Sequence, residues 1–123
     1  MVCDAIERTY DIVHDVIGEI EPDRSIKLPS YVVPKGVPED DALINVCKEG
    51  LIQRGLAGKP EYIDRLKVEL KVIKEKKFSK YFLTMKAIMD LARKHMLAGP
   101  GRGPAAGSLV AYVLYITNVD PLE

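Results

Sequence analysis

Apolar residues recur at intervals of three and four along most of this chain, which is the spacing that buries one face of a helix. The first such run covers residues 3–17 and ends before Gly18. The next stretch, residues 22–38, contains four prolines and Gly36. Because proline removes a backbone donor and restricts the residue before it, this stretch is predicted to be an extended connector.

Four further helices are predicted after the connector. The second begins at Pro38, with acidic residues in its first turn, where negative charge suits the helix dipole. The third begins at Pro60, the fourth follows Ser79 as its N-cap, and the fifth covers residues 105–116. The residues expected to face the core are Leu43, Val46, Cys47, Leu51, Ile63, Leu66, Leu70, Ile73, Phe82, Met85, Ile88, Met89, Ala92, Leu109, Tyr112, Val113 and Ile116.

A brief strand is predicted at residues 96–98, just before a glycine-rich stretch. The sequence therefore predicts a mostly α fold with a small β component (α+β). A length of 123 residues corresponds to one domain, and 47% hydrophobic residues permit a core.

Charge is balanced overall but not along the chain. Eighteen basic and eighteen acidic residues give no net charge, so a global nucleic-acid signature is absent. Residues 1–23 nevertheless hold seven acids and one base, and residues 65–80 hold seven bases and two acids. The basic run has two interpretations, a solvated helix face or a surface near DNA or a nucleotide.

Several classes of protein are excluded by simple counts. Cys3 and Cys47 are the only thiols and lack CxxC spacing, which argues against a zinc site or a disulfide framework. No apolar run approaches membrane-spanning length, so we expect a cytoplasmic protein that does not bind a membrane. His14 and His95 are isolated and no Asp-x-Asp occurs, so no metal site is expected in this chain.

The strongest chemical signal is the glycine-rich stretch from Ala98 to Tyr112. Glycines allow a backbone to approach a ligand closely, and a helix start offers free N–H groups and partial positive charge. Arg102 adds a fork of donors suited to phosphate oxygens. The spacing matches neither a Walker A loop nor a dinucleotide fingerprint. The alternative is that these glycines only permit a tight turn and close helix packing.

The same residues resemble a known family. Gly-Pro-Gly-Arg-Gly at 99–103, Ala-Gly-Ser-Leu-Val-Ala-Tyr at 106–112 and Asp-Pro-Leu-Glu at 120–123 resemble the palm of bacterial family C replicative DNA polymerases. Residues 80–83 and 65–73 fit the same palm, and residues 28–51 resemble the region that joins it to an N-terminal phosphoesterase-like (PHP) domain.

The resemblance implies a division of the chain and a set of site residues. Residues 1–37 would form the connector after the PHP-like domain. Residues 38–123 would form the first part of a truncated nucleotidyltransferase-like palm, with its triphosphate loop at 99–108. The residues carried over to triphosphate binding are Gly101, Arg102, Gly103 and Ser108. A family serine is replaced here by Pro104, which removes a hydroxyl and an N–H from the loop.

The resemblance also implies a function. The chain would be a fragment or split part of a DNA-directed DNA polymerase and would lack the family's catalytic aspartates, so alone it would be inactive. Mg²⁺ would be held by another stretch of the complete enzyme. The expected partners are the rest of the palm, the fingers and thumb, primer-template DNA and a deoxynucleoside triphosphate, and self-association is possible. The alternative is a non-catalytic interaction module derived from a polymerase palm.

Overall fold

The structure, a computed structural model, describes residues 2–17, 21–25, 27, 33 and 36–123. The predicted helix end at Gly18 and eight residues of the predicted connector (26, 28–32, 34 and 35) lie outside the described residues. The first helix, α1, covers Val2–Asp11 and continues as a π-helical segment over Ile12–Ile17. None of the side chains in either segment is buried.

Three longer helices follow and confirm the predicted periodicity. They are α2 (Glu39–Gln53), α3 (Pro60–Glu75) and α4 (Ser79–Ala92). Pro38 precedes α2 in an extended conformation, and Pro60 is the first residue of α3, where its missing N–H costs nothing. Helices α2 and α3 each end in a Schellman motif, in which Leu56 N–H bonds to Leu51 O and Phe78 N–H bonds to Ile73 O.

The predicted fifth helix is two elements in the structure. A 3₁₀ helix covers Gly103–Gly107, and the short helix α5 covers Leu109–Val113. Ser108 lies between them with an extended backbone (φ −98°, ψ 122°), so the helix cannot be continuous. Helix α5 packs against both α2 and α3.

The core lies where α5 packs between α2 and α3 and where α4 packs on α2. Leu109, Val110 and Leu114 are completely buried although α5 is only one turn and a half long. The core residues are Leu43, Cys47, Leu51, Leu56, Tyr62, Leu66, Ile73, Leu83, Leu109, Val110, Ala111, Val113 and Leu114. A helix this short is marginal by itself, so its conformation depends on this packing.

Three sequence predictions need correction. Residues 96–98 form a bend and an exposed loop instead of the predicted strand. The described residues contain no strand with which this segment could pair. Ser79 is the first residue of α4, not its cap, and its buried hydroxyl donates to Asp40 at 2.6 Å. The buried apolar residue of α4 is Leu83, which was not predicted, whereas the predicted core residue Ile88 is exposed.

Candidate nucleotide-binding loop

The glycine-rich segment forms an exposed loop between α4 and the 3₁₀ helix. Gly101 and Gly103 have φ angles of +146° and +68°, a region that other residues rarely adopt. Arg102, between them, is extended and its side chain is exposed. A Cβ atom on Gly101 would lie 3.3 Å from two side-chain atoms of Thr117. The loop therefore needs glycine for its backbone angles and for its approach to the segment after α5.

Arg54 holds that segment in place. The guanidinium donates from Nη2 to Thr117 O at 3.0 Å and to Asn118 Oδ1 at 3.2 Å. Asn118 N–H in turn bonds to Pro100 O in the loop. A chain of hydrogen bonds therefore connects the end of α2 to the start of the glycine loop.

Two tyrosines enclose the same guanidinium. The Arg54 Cζ atom lies 3.6 Å from the ring centroid of Tyr112 and 4.0 Å from that of Tyr115. Tyr115 has a φ of +59°, unfavourable for a tyrosine, because it ends α5 in a third Schellman motif. Cation–π contact with Arg54, and with Arg93 at 6.0 Å, offsets part of that backbone cost.

The start of α5 is occupied by the carboxylate of Glu69 from α3. Its two oxygens accept hydrogen bonds from Ser108 Oγ at 2.9 Å, Leu109 N at 3.0 Å and Val110 N at 3.1 Å. Arg65 Nε donates to the same carboxylate at 2.8 Å. Ser108 also accepts a bond from Ala111 N at 3.2 Å and is the N-cap of α5. The free amides of this helix are therefore already paired with an internal anion.

The environment of Glu69 stabilises its charged form. Burial by itself raises the pKa of this carboxyl, but the bonds from Arg65, the two amides and Ser108 together lower the pKa below its ordinary value. Burial and the nearby Glu69 charge raise the pKa of the Cys47 thiol to about 12. Cys47 is thus a neutral core residue, not a nucleophile.

The four predicted site residues therefore have different surroundings. Gly101, Arg102 and Gly103 share the exposed loop, and their N–H groups form no hydrogen bond with another described residue. Ser108 follows the 3₁₀ helix and is engaged with Glu69 and α5. The anion-binding groups still available are thus those of the loop, not those of the helix start. Sequence reasoning missed Glu69 because its partners lie about forty residues away along the chain.

The carboxylates near the loop have their own partners. Asp120 accepts a bond from Tyr62 Oη at 2.8 Å and one from Leu122 N at 3.0 Å, the second of which is the local bond of an Asx turn. The bond to Asp120 is the main reason that the pKa of Tyr62 rises to about 12. Among the described residues, no group of three or more His, Cys, Asp or Glu side chains could hold a metal ion. The acidic residues here do not fit a Mg²⁺ site.

The basic run and the histidines are at the surface. Arg65, Lys67, Lys74 and Lys80 each pair with a carboxylate, whereas Lys71 has no ion pair with any described residue. His14 is exposed on the π-helical segment and stacks on Tyr10, with 4.0 Å between ring centroids. None of the described helices is long and apolar enough to cross a membrane.

Comparison with known proteins places these helices and the loop they carry in a bacterial DNA polymerase domain. The chain belongs to the family described as the bacterial DNA polymerase III alpha NTPase domain, whose family model matches residues 41–123. This finding confirms the resemblance drawn from the glycine-rich motifs.

Individual relatives agree with the family assignment. The chain is 54% identical over 100 residues to DNA polymerase III subunit alpha of Bacillus subtilis (strain 168), covering 79% of this chain and 9% of that protein. It is 39% identical over 131 residues to the protein of the same name from Neisseria meningitidis serogroup B, covering 98% of this chain and 11% of the relative. The chain thus spans about a tenth of the length of these relatives.

Proposed function

We propose that this chain is the part of a bacterial replicative DNA polymerase that presents a triphosphate-binding loop. The observation that supports this proposal is the exposed Arg102 between two glycines with positive φ angles. The unbonded N–H groups of Gly101, Arg102 and Gly103 and the exposed guanidinium of Arg102 are donors available to phosphate oxygens. The family membership of residues 41–123 provides the polymerase context.

The proposed roles follow from what each residue can donate. Arg102 neutralises phosphate charge, and the amides at Gly101 and Gly103 orient the phosphate group. Ser108 acts indirectly, because its hydroxyl helps to hold α5 behind the loop. Pro104 is the second residue of the 3₁₀ helix, where its fixed φ is compatible with the fold. The loop thus keeps its shape while it lacks the donors that a serine would add.

The proposed domain organisation divides the chain after residue 37. Residues 1–37 connect a preceding PHP-like domain to the palm, and residues 38–123 form the first part of that palm. In the complete enzyme, which would extend a primer by nucleotidyl transfer, the carboxylates that hold Mg²⁺ come from a different stretch of chain. The palm's β component would likewise come from segments that pack on these helices.

Arg102→Ala is expected to weaken triphosphate binding about tenfold, because a charged hydrogen bond contributes about 1.5–3 kcal/mol and this arginine is exposed. Isothermal titration of a deoxynucleoside triphosphate into both proteins measures the effect. Arg8→Ala is the matched control, since it removes the same charge from α1. Equal binding by wild type and Arg102→Ala would show that the loop is not the phosphate site.

Pro104→Ser is expected to strengthen binding in the same titration. The substitution restores a hydroxyl and an N–H next to Gly103, and both can donate to phosphate. A gain of about threefold corresponds to one neutral hydrogen bond of about 0.7 kcal/mol. Weaker binding by Pro104→Ser would contradict the role proposed for this position.

A primer-extension assay tests the wider proposal. We expect no extension by this chain alone, and extension when a family polymerase that lacks the matching segment is added. A reconstitution that depends on Arg102 would link the loop to nucleotidyl transfer. Restored extension that is insensitive to Arg102→Ala would instead favour the second candidate function, an interaction module. That candidate is supported by an apolar groove between α2 and α3.

A further inference from the structure

The groove between α2 and α3 is an open apolar channel of about 670 Å³. Its floor is aliphatic and its rim is basic. The floor includes Ile44, Leu51, Ile63, Leu66 and Leu70, and the rim carries Lys48, Lys67, Lys71 and Lys74. No carboxylate lines the groove, and Lys48 and Lys71 form no ion pair with any described residue. Such a surface fits an apolar helix face with acidic flanks.

Helix α1 and its π-helical continuation present a matching surface. Ile6, Tyr10 and Val13 lie on one face and are 65%, 61% and 48% exposed. This segment, residues 2–17, holds four acids and one arginine. The segment is strongly amphipathic, and none of its apolar side chains is buried.

The two surfaces agree in length as well as in polarity. The apolar stripe from Ile6 to Ile17 and the groove wall from Ile63 to Lys74 each cover eleven residue steps. At the α-helical rise of about 1.5 Å per residue the groove wall is about 16 Å long, and the stripe is somewhat shorter because its second half is π-helical and rises less per residue. Docking would bury the aliphatic floor and place acidic side chains beside a rim of lysines.

We propose that α1 of one copy of this chain binds in the α2–α3 groove of a second copy, so that two chains exchange their N-terminal helices. Docking buries the apolar stripe, and in the structure that stripe is exposed, so the chain's own α1 does not occupy its groove. Reciprocal exchange fills two identical grooves and closes the assembly as a symmetric dimer.

A charge-exchange experiment tests this assembly by sedimentation equilibrium of the full chain. The variant Lys48→Glu/Lys71→Glu replaces with glutamates the two rim lysines that form no ion pair with any described residue, and the variant Glu7→Lys/Asp11→Lys makes α1 basic. Each variant alone then sets like charges against each other, and its dimer dissociation constant is expected to rise at least about tenfold. A 1:1 mixture of the two restores opposite charges in both interfaces, and its heterodimer is expected to match wild type within about threefold.

The mixture separates docking from misfolding, because two unfolded variants cannot restore each other. Lys94→Glu, which changes an exposed lysine outside the groove, is expected to associate like wild type. A wild-type chain that stays monomeric at several hundred micromolar overturns the proposal, whether α1 is then free or folded onto its own groove. Charge variants that dimerise like wild type, or a mixture that stays monomeric, also overturn it.

Discussion

Replacing Gly50 by alanine is expected to destabilise the protein by about 3 kcal/mol or more, although alanine normally favours a helix interior over glycine by about 0.5–1 kcal/mol. Gly50 is buried on α2 where that helix crosses α5. A Cβ atom there would lie 2.0 Å from Val113 O and 2.8 Å from Val113 C. Both are backbone atoms, so the two helices would have to separate.

Urea unfolding of Gly50→Ala against wild type measures this effect. Gly58→Ala is the matched control, because nothing lies within 4 Å of its added Cβ atom, and we expect a change within about 0.5 kcal/mol. Since only the 3₁₀ helix and Ser108 separate α5 from the glycine loop, a shift of α5 in Gly50→Ala should also weaken triphosphate binding. A Gly50→Ala protein as stable as wild type would mean that the α2–α5 crossing is looser than described.

Glu69→Gln is expected to cost about 3 kcal/mol of stability at neutral pH. Glutamine lacks the negative charge that accepts bonds from Leu109 N, Val110 N and Arg65. Its side-chain NH₂ group takes the place of one carboxylate oxygen and faces at least one of these N–H groups, with which it cannot bond. A hydrogen bond to a charged group contributes about 1.5–3 kcal/mol, and part of the Arg65 bond is screened because Arg65 is half exposed. The helix start would be left with unpaired amides.

The pH dependence gives this prediction a second readout. Because the folded-state pKa of Glu69 is lowered, its stabilisation is complete above about pH 4.3, the ordinary pKa of glutamate, and is lost as the pH falls through the lowered value. The stability difference between wild type and Glu69→Gln should therefore shrink in acid. Glu75→Gln, at the exposed end of the same helix, is the control. If wild type and Glu69→Gln differ equally in free energy of unfolding at pH 7 and pH 3, the lost stability comes from packing and not from the charge of Glu69.

Sequence periodicity determined the helical elements and the position of the loop. Pro60 is the first residue of α3 as predicted, and Pro38 lies one residue before the start of α2. Gly101 and Gly103 adopt backbone angles that other residues avoid. These features depend on the backbone angles that proline and glycine allow and on the spacing of nearby apolar residues, so they can be predicted from the sequence alone. The glycine-rich motifs likewise were sufficient to indicate the polymerase family.

The use of helix starts and helix faces depends on contacts between helices, which local sequence does not specify. A continuous helix was predicted over residues 105–116, yet the chain breaks at Ser108 and Glu69 pairs with the amides of Leu109 and Val110 from another helix. Ser79 contacts Asp40 instead of capping its helix, and Leu83 replaces Ile88 at the core. In each case the deciding partner lies on a different helix. Local spacing cannot specify such pairings, because they arise from satisfying buried polar groups and filling space between elements.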